Sequence, residues 1–194
     1  MSQLEGLRQQ LPDYARDLKL NLGTLLGAGG VADLSAAQAW GSALAAAIAC
    51  RQPALTAAVE HDAAAVADGA TLEAARTAAA IMAMTNVYYR AVHMAHDAEL
   101  ARLPAGLRMN GLTKHGIAPA DFELFGLAAS VVKGCEGCTK AHIDGARNHG
   151  VPVQAIGAVL RIAAVIHAVA TVLDARGAAP AQPVATGHPA TEFA

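Results

Sequence analysis

The chain has 194 residues, of which 54% are hydrophobic and 15% charged, and its formal net charge is −2. So apolar a composition excludes a disordered chain, and the length suits one domain or a compact pair of half-domains. A mildly acidic chain without a run of Lys or Arg is not expected to bind nucleic acid, and an aromatic content of 4% leaves few rings for base stacking.

The distribution of alanine, glycine and proline predicts an all-α fold. Long alanine-rich segments are separated by Gly and Pro, and no alternating strand pattern is present. Helices are predicted over residues 11–21, 36–50, 53–68, 71–90, 119–134, 135–149 and 152–176. Ser35 is the predicted N-cap of the second of these helices, after a glycine-rich loop. The tail 177–194, rich in Ala, Pro and Thr, is predicted to be disordered.

The two halves of the sequence resemble each other. A shift of 85 positions (135 − 50) places Cys50 on Cys135 and Gly41 on Gly126, and the same shift holds up to Ala83. One constant offset indicates an internally duplicated helical unit. The predicted single domain covers residues 1–176, with a first half of about 1–100 and a second, catalytic half of about 101–176. The halves differ where Gln38 stands opposite Glu123, Pro53 opposite Cys138 and Ala57 opposite His142, so any chemistry is expected in the second half only.

The most informative segment runs from Glu123 to His142 and contains Cys135-Glu-Gly-Cys138. At the start of a helix, a Cys-x-x-Cys brings two sulfurs within disulfide range, and the positive helix end lowers a thiol pKa. Gly134 is the break that creates such a start. His142 lies four residues after Cys138, on the same helix face, so the imidazole can take a thiol proton or stabilise a thiolate. Glu123, on the preceding helix, is predicted to orient that imidazole.

Two other interpretations of the cysteine pair are open at this point. With His142 the pair fits a zinc site, for which His149 is the nearest further ligand, but a second ligand pair at recognisable spacing is missing. Both thiols can instead be buried hydrophobic groups. A glycine before the pair and a histidine at i+4 favour redox chemistry. Cys50 is predicted to be structural, and His93, His96 and Met82 are given no catalytic role.

At these residues the chain resembles the AhpD family of alkyl hydroperoxide reductases, in the carboxymuconolactone-decarboxylase-like superfamily. Residues 11–22, 81–90 and 107–110 resemble the family's opening and central segments. Residues 123–151 resemble its active-site pattern, in which a Glu precedes Cys-x-x-Cys-x-x-x-His. The resemblance extends to about Arg176. It implies an AhpD-like helical bundle, assembled as a homotrimer, that acts as an antioxidant.

The resemblance also implies the roles of the four residues. Cys138 attacks the peroxide O–O bond and becomes a sulfenic acid, while Cys135 donates a proton and then closes the disulfide. Glu123 and His142 match the relay that activates the thiols. The helix terminus alone favours Cys135 as the more acidic thiol, whereas the histidine one turn away favours Cys138. Some members carry a histidine between the cysteines, where this chain has Gly137.

The resemblance further implies that the enzyme binds no cofactor and receives electrons from other proteins. A lipoyl dithiol, dihydrolipoamide on a lipoyl carrier protein (a dihydrolipoamide acyltransferase), reduces the disulfide. The thiols also pass electrons to the peroxiredoxin AhpC through a mixed disulfide at Cys138. An alternative with the same residues is a disulfide-relay adaptor with little peroxidase activity of its own. A lactone decarboxylase is disfavoured, because proton chemistry on a lactone has no use for two adjacent thiols.

The sequence itself gives the expectations about compartment and ligands. No glycine-rich phosphate loop precedes a helix, so a nucleotide cofactor is not expected. Arg161 and His167 interrupt the longest apolar stretch, which argues against a membrane span. Three cysteines are too few for a disulfide scaffold, and the first residues lack the pattern of a signal peptide. We therefore expect a reducing, cytoplasmic location.

Overall fold

The computed structural model describes residues 2–27 and 29–177, and in this part of the chain every regular element is a helix. The all-α class predicted from the sequence is therefore confirmed. The α-helices are α1 (Gln3–Gln10), α2 (Arg16–Leu26), α3 (Ala36–Cys50), α4 (Pro53–Ala63), α5 (Gly69–Ala95), α6 (Ala98–Arg102), α7 (Pro119–Lys133), α8 (Glu136–Asn148) and α9 (Val153–Gly177). Short 3-10 helices lie at Asp13–Ala15 and Asn110–Leu112.

Local capping signals explain where most of these helices begin. Ser35 forms a complete capping box at the start of α3, as its sequence predicts. Pro53 and Pro119 occupy the first positions of α4 and α7, where a missing N–H costs nothing. The carboxylate of Asp68 accepts a hydrogen bond from the backbone N–H of Thr71, so α5 begins slightly earlier than predicted.

The first two helices differ from the prediction. α1 is not predicted at all, because it is short and mostly polar, although Leu4 and Leu7 on one face pack into the core. The buried carboxylate of Asp62, on α4, accepts hydrogen bonds from the backbone N–H groups of Gln3 and Leu4 and so caps α1 from 58 and 59 residues away. α2 does not stop at Asn21 but continues to Leu26, since its last leucines are buried and the helix packs against α9. Burial there outweighs the local stop signal.

The order of helices repeats along the chain. α3, α4 and α5 have 15, 11 and 27 residues, and α7, α8 and α9 have 15, 13 and 25. α3 and α7 pack against each other at the centre, so both halves contribute to one hydrophobic core. The close approach of α3 to α7 depends on Gly41, where a Cβ would lie 2.3 Å from the ring of Phe125. The predicted disordered tail lies outside the described residues apart from Gly177, which ends α9.

α9 is long and apolar enough to cross a membrane by length and composition alone. In the fold it packs against α2, α3 and α7, and Ile162, Ile166 and Val169 are fully buried. A helix that is buried in the core of a bundle needs this composition. Contacts with the core therefore account for the buried part of α9, which is 44% of its most apolar 18-residue window.

Candidate active site

The junction between α7 and α8 places the two cysteines. Gly134 has φ +63° and ends α7, and Cys135 has an extended backbone and is the N-cap residue of α8. The predicted break at Gly134, followed by a helix start at the cysteine pair, is thus confirmed. Both residues are free thiols with their sulfurs 2.6 Å apart, and the backbone N–H of Cys138 donates to Cys135 Sγ at 3.4 Å. The two sulfurs are therefore close enough to form a disulfide bond with each other.

Burial, not the helix terminus, dominates the acidity of Cys138. Its side chain is 7% exposed, and burial together with contact to Cys135 raises the pKa of Cys138 to about 12. The backbone N–H of Cys138, which also lies 3.4 Å from Cys135 Sγ, lowers this pKa, but its effect is smaller than that of burial and of the Cys135 contact. Because the neutral thiol is the stable form, Cys138 needs a base to become a nucleophile at neutral pH.

The structure brings Glu123 and His142 together. Glu123 on α7 and His142 on α8 meet with Oε2 and Nδ1 2.6 Å apart, and their side chains are 26% and 11% exposed. An ionised carboxylate can only accept hydrogen bonds, so Nδ1 carries the proton and Nε2 is the nitrogen that gains and loses one. The carboxylate therefore fixes the tautomer and the orientation of the ring, as the third member of a catalytic relay does.

Two helix glycines make room for this pair. A Cβ at Gly126 would lie 2.5 Å from Cε1 of His142, and a Cβ at Gly145 would lie 2.6 Å from Cδ of Glu123. Gly126 follows Glu123 by three residues on α7, and Gly145 follows His142 by three residues on α8. α7 thus leaves a gap at Gly126 for the imidazole of His142, and α8 leaves a gap at Gly145 for the carboxylate of Glu123. Sequence reasoning missed this role, although the repeat had already singled out Gly126.

Substituting Gly126→Ala is expected to lower the free energy of unfolding by about 1–3 kcal/mol, because the new methyl group overlaps the imidazole ring. The sign is diagnostic, since alanine in a helix interior otherwise gains roughly 0.5–1 kcal/mol over glycine. Gly157→Ala is the matched control, because a Cβ there meets only Arg161 Nη1 at 3.7 Å. Urea unfolding of both variants measures the difference. Equal stability of Gly126→Ala and the unsubstituted chain would contradict the packing role.

Cys138 and His142 also line a pocket of about 750 Å³. Its walls come from α5, α6, α8 and the 3-10 helix at Asn110–Leu112, and they are predominantly apolar. His93 and His96, to which the sequence assigned no catalytic role, lie at this pocket, and His93 Nε2 is 3.5 Å from Glu136 Oε2. Cys135 is 1% exposed and is not part of the pocket wall. A molecule in this pocket therefore meets Cys138.

The second nitrogen of His142 has an unexpected partner. Nε2 lies 3.0 Å from the sulfur of Met82, a residue that the sequence suggested only as a core filler. Among the residues that the structure describes, no hydrogen bond joins Cys138 to His142. Both side chains line the same pocket, so they face a common space without touching each other through a hydrogen bond.

The structure also bears on the zinc interpretation and on the predicted structural role of Cys50. In the described part of the chain no group of three or more His, Cys, Asp or Glu side chains could hold a metal ion. The further ligand considered for zinc, His149, is the C-cap residue of α8. Cys50 Sγ lies 3.8 Å from Nδ1 of His167, and burial raises the pKa of Cys50 to about 11. A neutral thiol of this kind reacts slowly.

Comparisons with known proteins give the family. A profile described as the Carboxymuconolactone decarboxylase family matches residues 98–181, in the half that carries the site. An "Alkyl hydroperoxide reductase AhpD" from Rhodospirillum centenum is 48% identical over 92% of this chain and 95% of its own length. Proteins of the same name from Frankia alni and Acidobacterium capsulatum are 48% and 43% identical, over 87% and 89% of this chain and 90% and 93% of theirs. With such identity over nearly its full length, the chain belongs to the AhpD family.

Proposed function

We propose that the chain is a thiol-dependent alkyl hydroperoxide reductase that works through Cys135 and Cys138. In the first step the Cys138 sulfur attacks the O–O bond, so Cys–SH and ROOH give Cys–SOH and ROH. In the second step the thiol of Cys135 displaces hydroxide from the sulfenic acid, which gives the disulfide and water. The peroxide is reduced by two electrons and the dithiol is oxidised by two. The name shared by the relatives supports this reaction class.

The observation that carries the proposal is the position of Cys138. Its sulfur lies at the wall of an apolar pocket, 2.6 Å from a second thiol and one helical turn from a Glu–His pair. The pocket favours Cys138 as the attacking sulfur, since Cys135 does not line it. Cys135, in turn, is close enough to resolve the sulfenic acid before further oxidation. These assignments agree with the roles implied by the family resemblance.

The high pKa of Cys138 makes the Glu123–His142 pair necessary. At neutral pH the thiol is protonated, so its proton must leave as the sulfur attacks. Nε2 of His142 takes that proton, and the carboxylate of Glu123 stabilises the resulting imidazolium through Nδ1–H. The imidazolium then gives this proton to the alkoxide RO⁻ released from the peroxide, which becomes the alcohol ROH. The pair thus returns to its starting state within the first step.

The proposal includes the electron supply and the surroundings of the enzyme. The disulfide is reduced by dihydrolipoamide on a lipoyl carrier protein, through a mixed disulfide and exchange. Electrons can also pass from Cys138 to the peroxiredoxin AhpC.

The chain works in the cytoplasm, where its three free thiols stay reduced. It assembles as a homotrimer, which would cover exposed apolar side chains on α5 such as Val87 and Met94, 58% and 67% exposed.

Thiol titration with mass mapping tests the proposal. Treating the reduced protein with one equivalent of a hydroperoxide should consume two thiols and give one equivalent of alcohol. The peptide map should then show a Cys135–Cys138 disulfide with Cys50 still free, and dihydrolipoamide should restore both thiols. Loss of the Cys50 thiol alone, or no loss of thiols, would contradict the proposed function.

The disulfide-relay adaptor is the second candidate, because it uses the same two thiols. It is distinguished by measuring peroxide consumption with dihydrolipoamide as reductant, in the presence and absence of the peroxiredoxin. A direct peroxidase consumes peroxide by itself. An adaptor consumes it only when the peroxiredoxin is added.

A further inference from the structure

The contact between Met82 and His142 joins two helices across the pocket. Met82 lies on α5 and is 3% exposed, and its sulfur is 3.0 Å from Nε2 of His142 on α8. The hydroxyl of Thr85, one turn further along α5, lies 3.6 Å from the same sulfur and 3.0 Å from the carbonyl oxygen of Ile81, which is its closer acceptor. Met82 also lines the pocket beside Cys138. The thioether is therefore held at the one ring nitrogen that exchanges a proton.

The imidazole ring has no freedom to avoid this sulfur. Glu123 holds Nδ1 at 2.6 Å, and the ring lies so close to the backbone of α7 that Gly126 has no space for a Cβ. Nε2 must consequently face Met82 as long as the Glu123 contact is intact.

A thioether discriminates between the two protonation states of Nε2. Sulfur in methionine has lone pairs and no proton to donate, so it accepts weakly from an N–H. The protonated ring therefore donates to Glu123 from Nδ1 and to Met82 from Nε2. The neutral ring instead brings a nitrogen lone pair against the sulfur lone pairs. This contact stabilises the protonated ring relative to the neutral one.

We propose that Met82 is a positioning residue of the peroxidase reaction, which accepts a hydrogen bond from Nε2–H of His142 and so stabilises the imidazolium formed when Cys138 gives up its proton. The proton is held at Nε2 until the alkoxide takes it, and no electron is transferred at Met82. The consequence for turnover rests on the proposed function, whereas the effect on His142 itself does not.

Other titratable groups also surround the imidazole and must stay unchanged in a test. Glu123 approaches from α7, and Cys135 and Cys138 lie at the start of α8. The pocket brings further groups from α5 and the residues after it: Tyr89, His93, His96 and Asp97. Substituting Met82 leaves the charge of each of these groups unaltered, so a change in the titration of His142 is assigned to the lost acceptor.

The test is an NMR titration of the histidine Cε1–H signals in the full chain. His142→Asn identifies the signal of interest among the eight histidines. Met82→Leu keeps the side-chain volume and removes the acceptor, and it should move the titration midpoint of His142 roughly one pH unit lower. Met82→Gln offers a carbonyl oxygen to Nε2–H but also an N–H2 group that serves the neutral ring, so its midpoint should lie between those of Met82→Leu and the unsubstituted chain. Met84→Leu, on the same helix but outside the pocket wall, should leave it unchanged.

A second readout follows thiol reactivity. Met82→Leu should slow alkylation of Cys138 by iodoacetamide roughly tenfold at pH 7, and the difference should vanish at a pH where the thiol ionises without the base. The proposal is overturned if Met82→Leu leaves the His142 midpoint in place, or if Leu and Gln shift it equally, as a pure packing effect would. Neither readout uses peroxide, so failure here is distinct from failure of the proposed reaction.

Discussion

Replacing Cys138 by serine is expected to reduce peroxide turnover by about 10³-fold or more, because a hydroxyl group is a far weaker nucleophile than a thiolate. In the part of the chain that the structure describes, one thiol lines the pocket, that of Cys138. The other sulfurs at the pocket wall are methionine thioethers. No sulfenic acid should form in this variant. The measurement is initial-rate consumption of an organic hydroperoxide with dihydrolipoamide as reductant.

The companion variant separates the two cysteines. Cys135→Ser should complete the first step and stop, because no thiol is left 2.6 Å away to displace hydroxide from the sulfenic acid. A dimedone adduct should then map to Cys138. Cys50→Ser is the matched control and should turn over peroxide normally, since Cys50 lies outside the pocket beside His167. An adduct at Cys135 in the Cys138→Ser variant would reverse the assigned roles.

The second large effect is expected for Glu123→Gln. The amide has nearly the shape of the carboxylate and fits the gap at Gly145, but it carries no charge to stabilise the imidazolium. It can also donate to Nδ1, which would place the ring proton on Nε2 and remove the base. By analogy with relay carboxylates in other enzymes, kcat/KM should fall by about 10²–10⁴.

The pH dependence gives this prediction a mechanistic readout. Since the pKa of Cys138 is raised to about 12, a variant without a working base should gain activity steadily as the pH rises above neutrality. Glu73→Gln is the matched control, because Glu73 is exposed and, within residues 2–27 and 29–177, forms its ion pair with Arg76 on its own helix. A Glu123→Gln enzyme within threefold of full activity at neutral pH would contradict the relay.

Local sequence signals correctly predicted where α3, α4, α7 and α8 begin, whereas α6, which helps to line the pocket, was not predicted. Ser35 with its capping box, proline at the first turn of α4 and α7, and Gly134 before the cysteine pair each act within one helical turn. Such signals can be detected in a sequence because the interacting groups are neighbours in it. The Cys-x-x-Cys and the histidine at i+4 belong to the same class, since a helix fixes their relation.

The sequence by itself therefore determined the helical class, the helix starts in the second half and the closeness of the Cys135 and Cys138 sulfurs. Only the tertiary structure decided what lies across from these elements. It showed that Glu123 and Met82 hold opposite nitrogens of His142, that Gly126 makes room for the ring, and that burial raises the pKa of Cys138. It also showed that the carboxylate of Asp62, on α4, caps the N-terminus of the mostly polar helix α1. These contacts join residues on different helices that are 16 or more positions apart in the chain, and their geometry depends on how the helices pack, which no local pattern encodes.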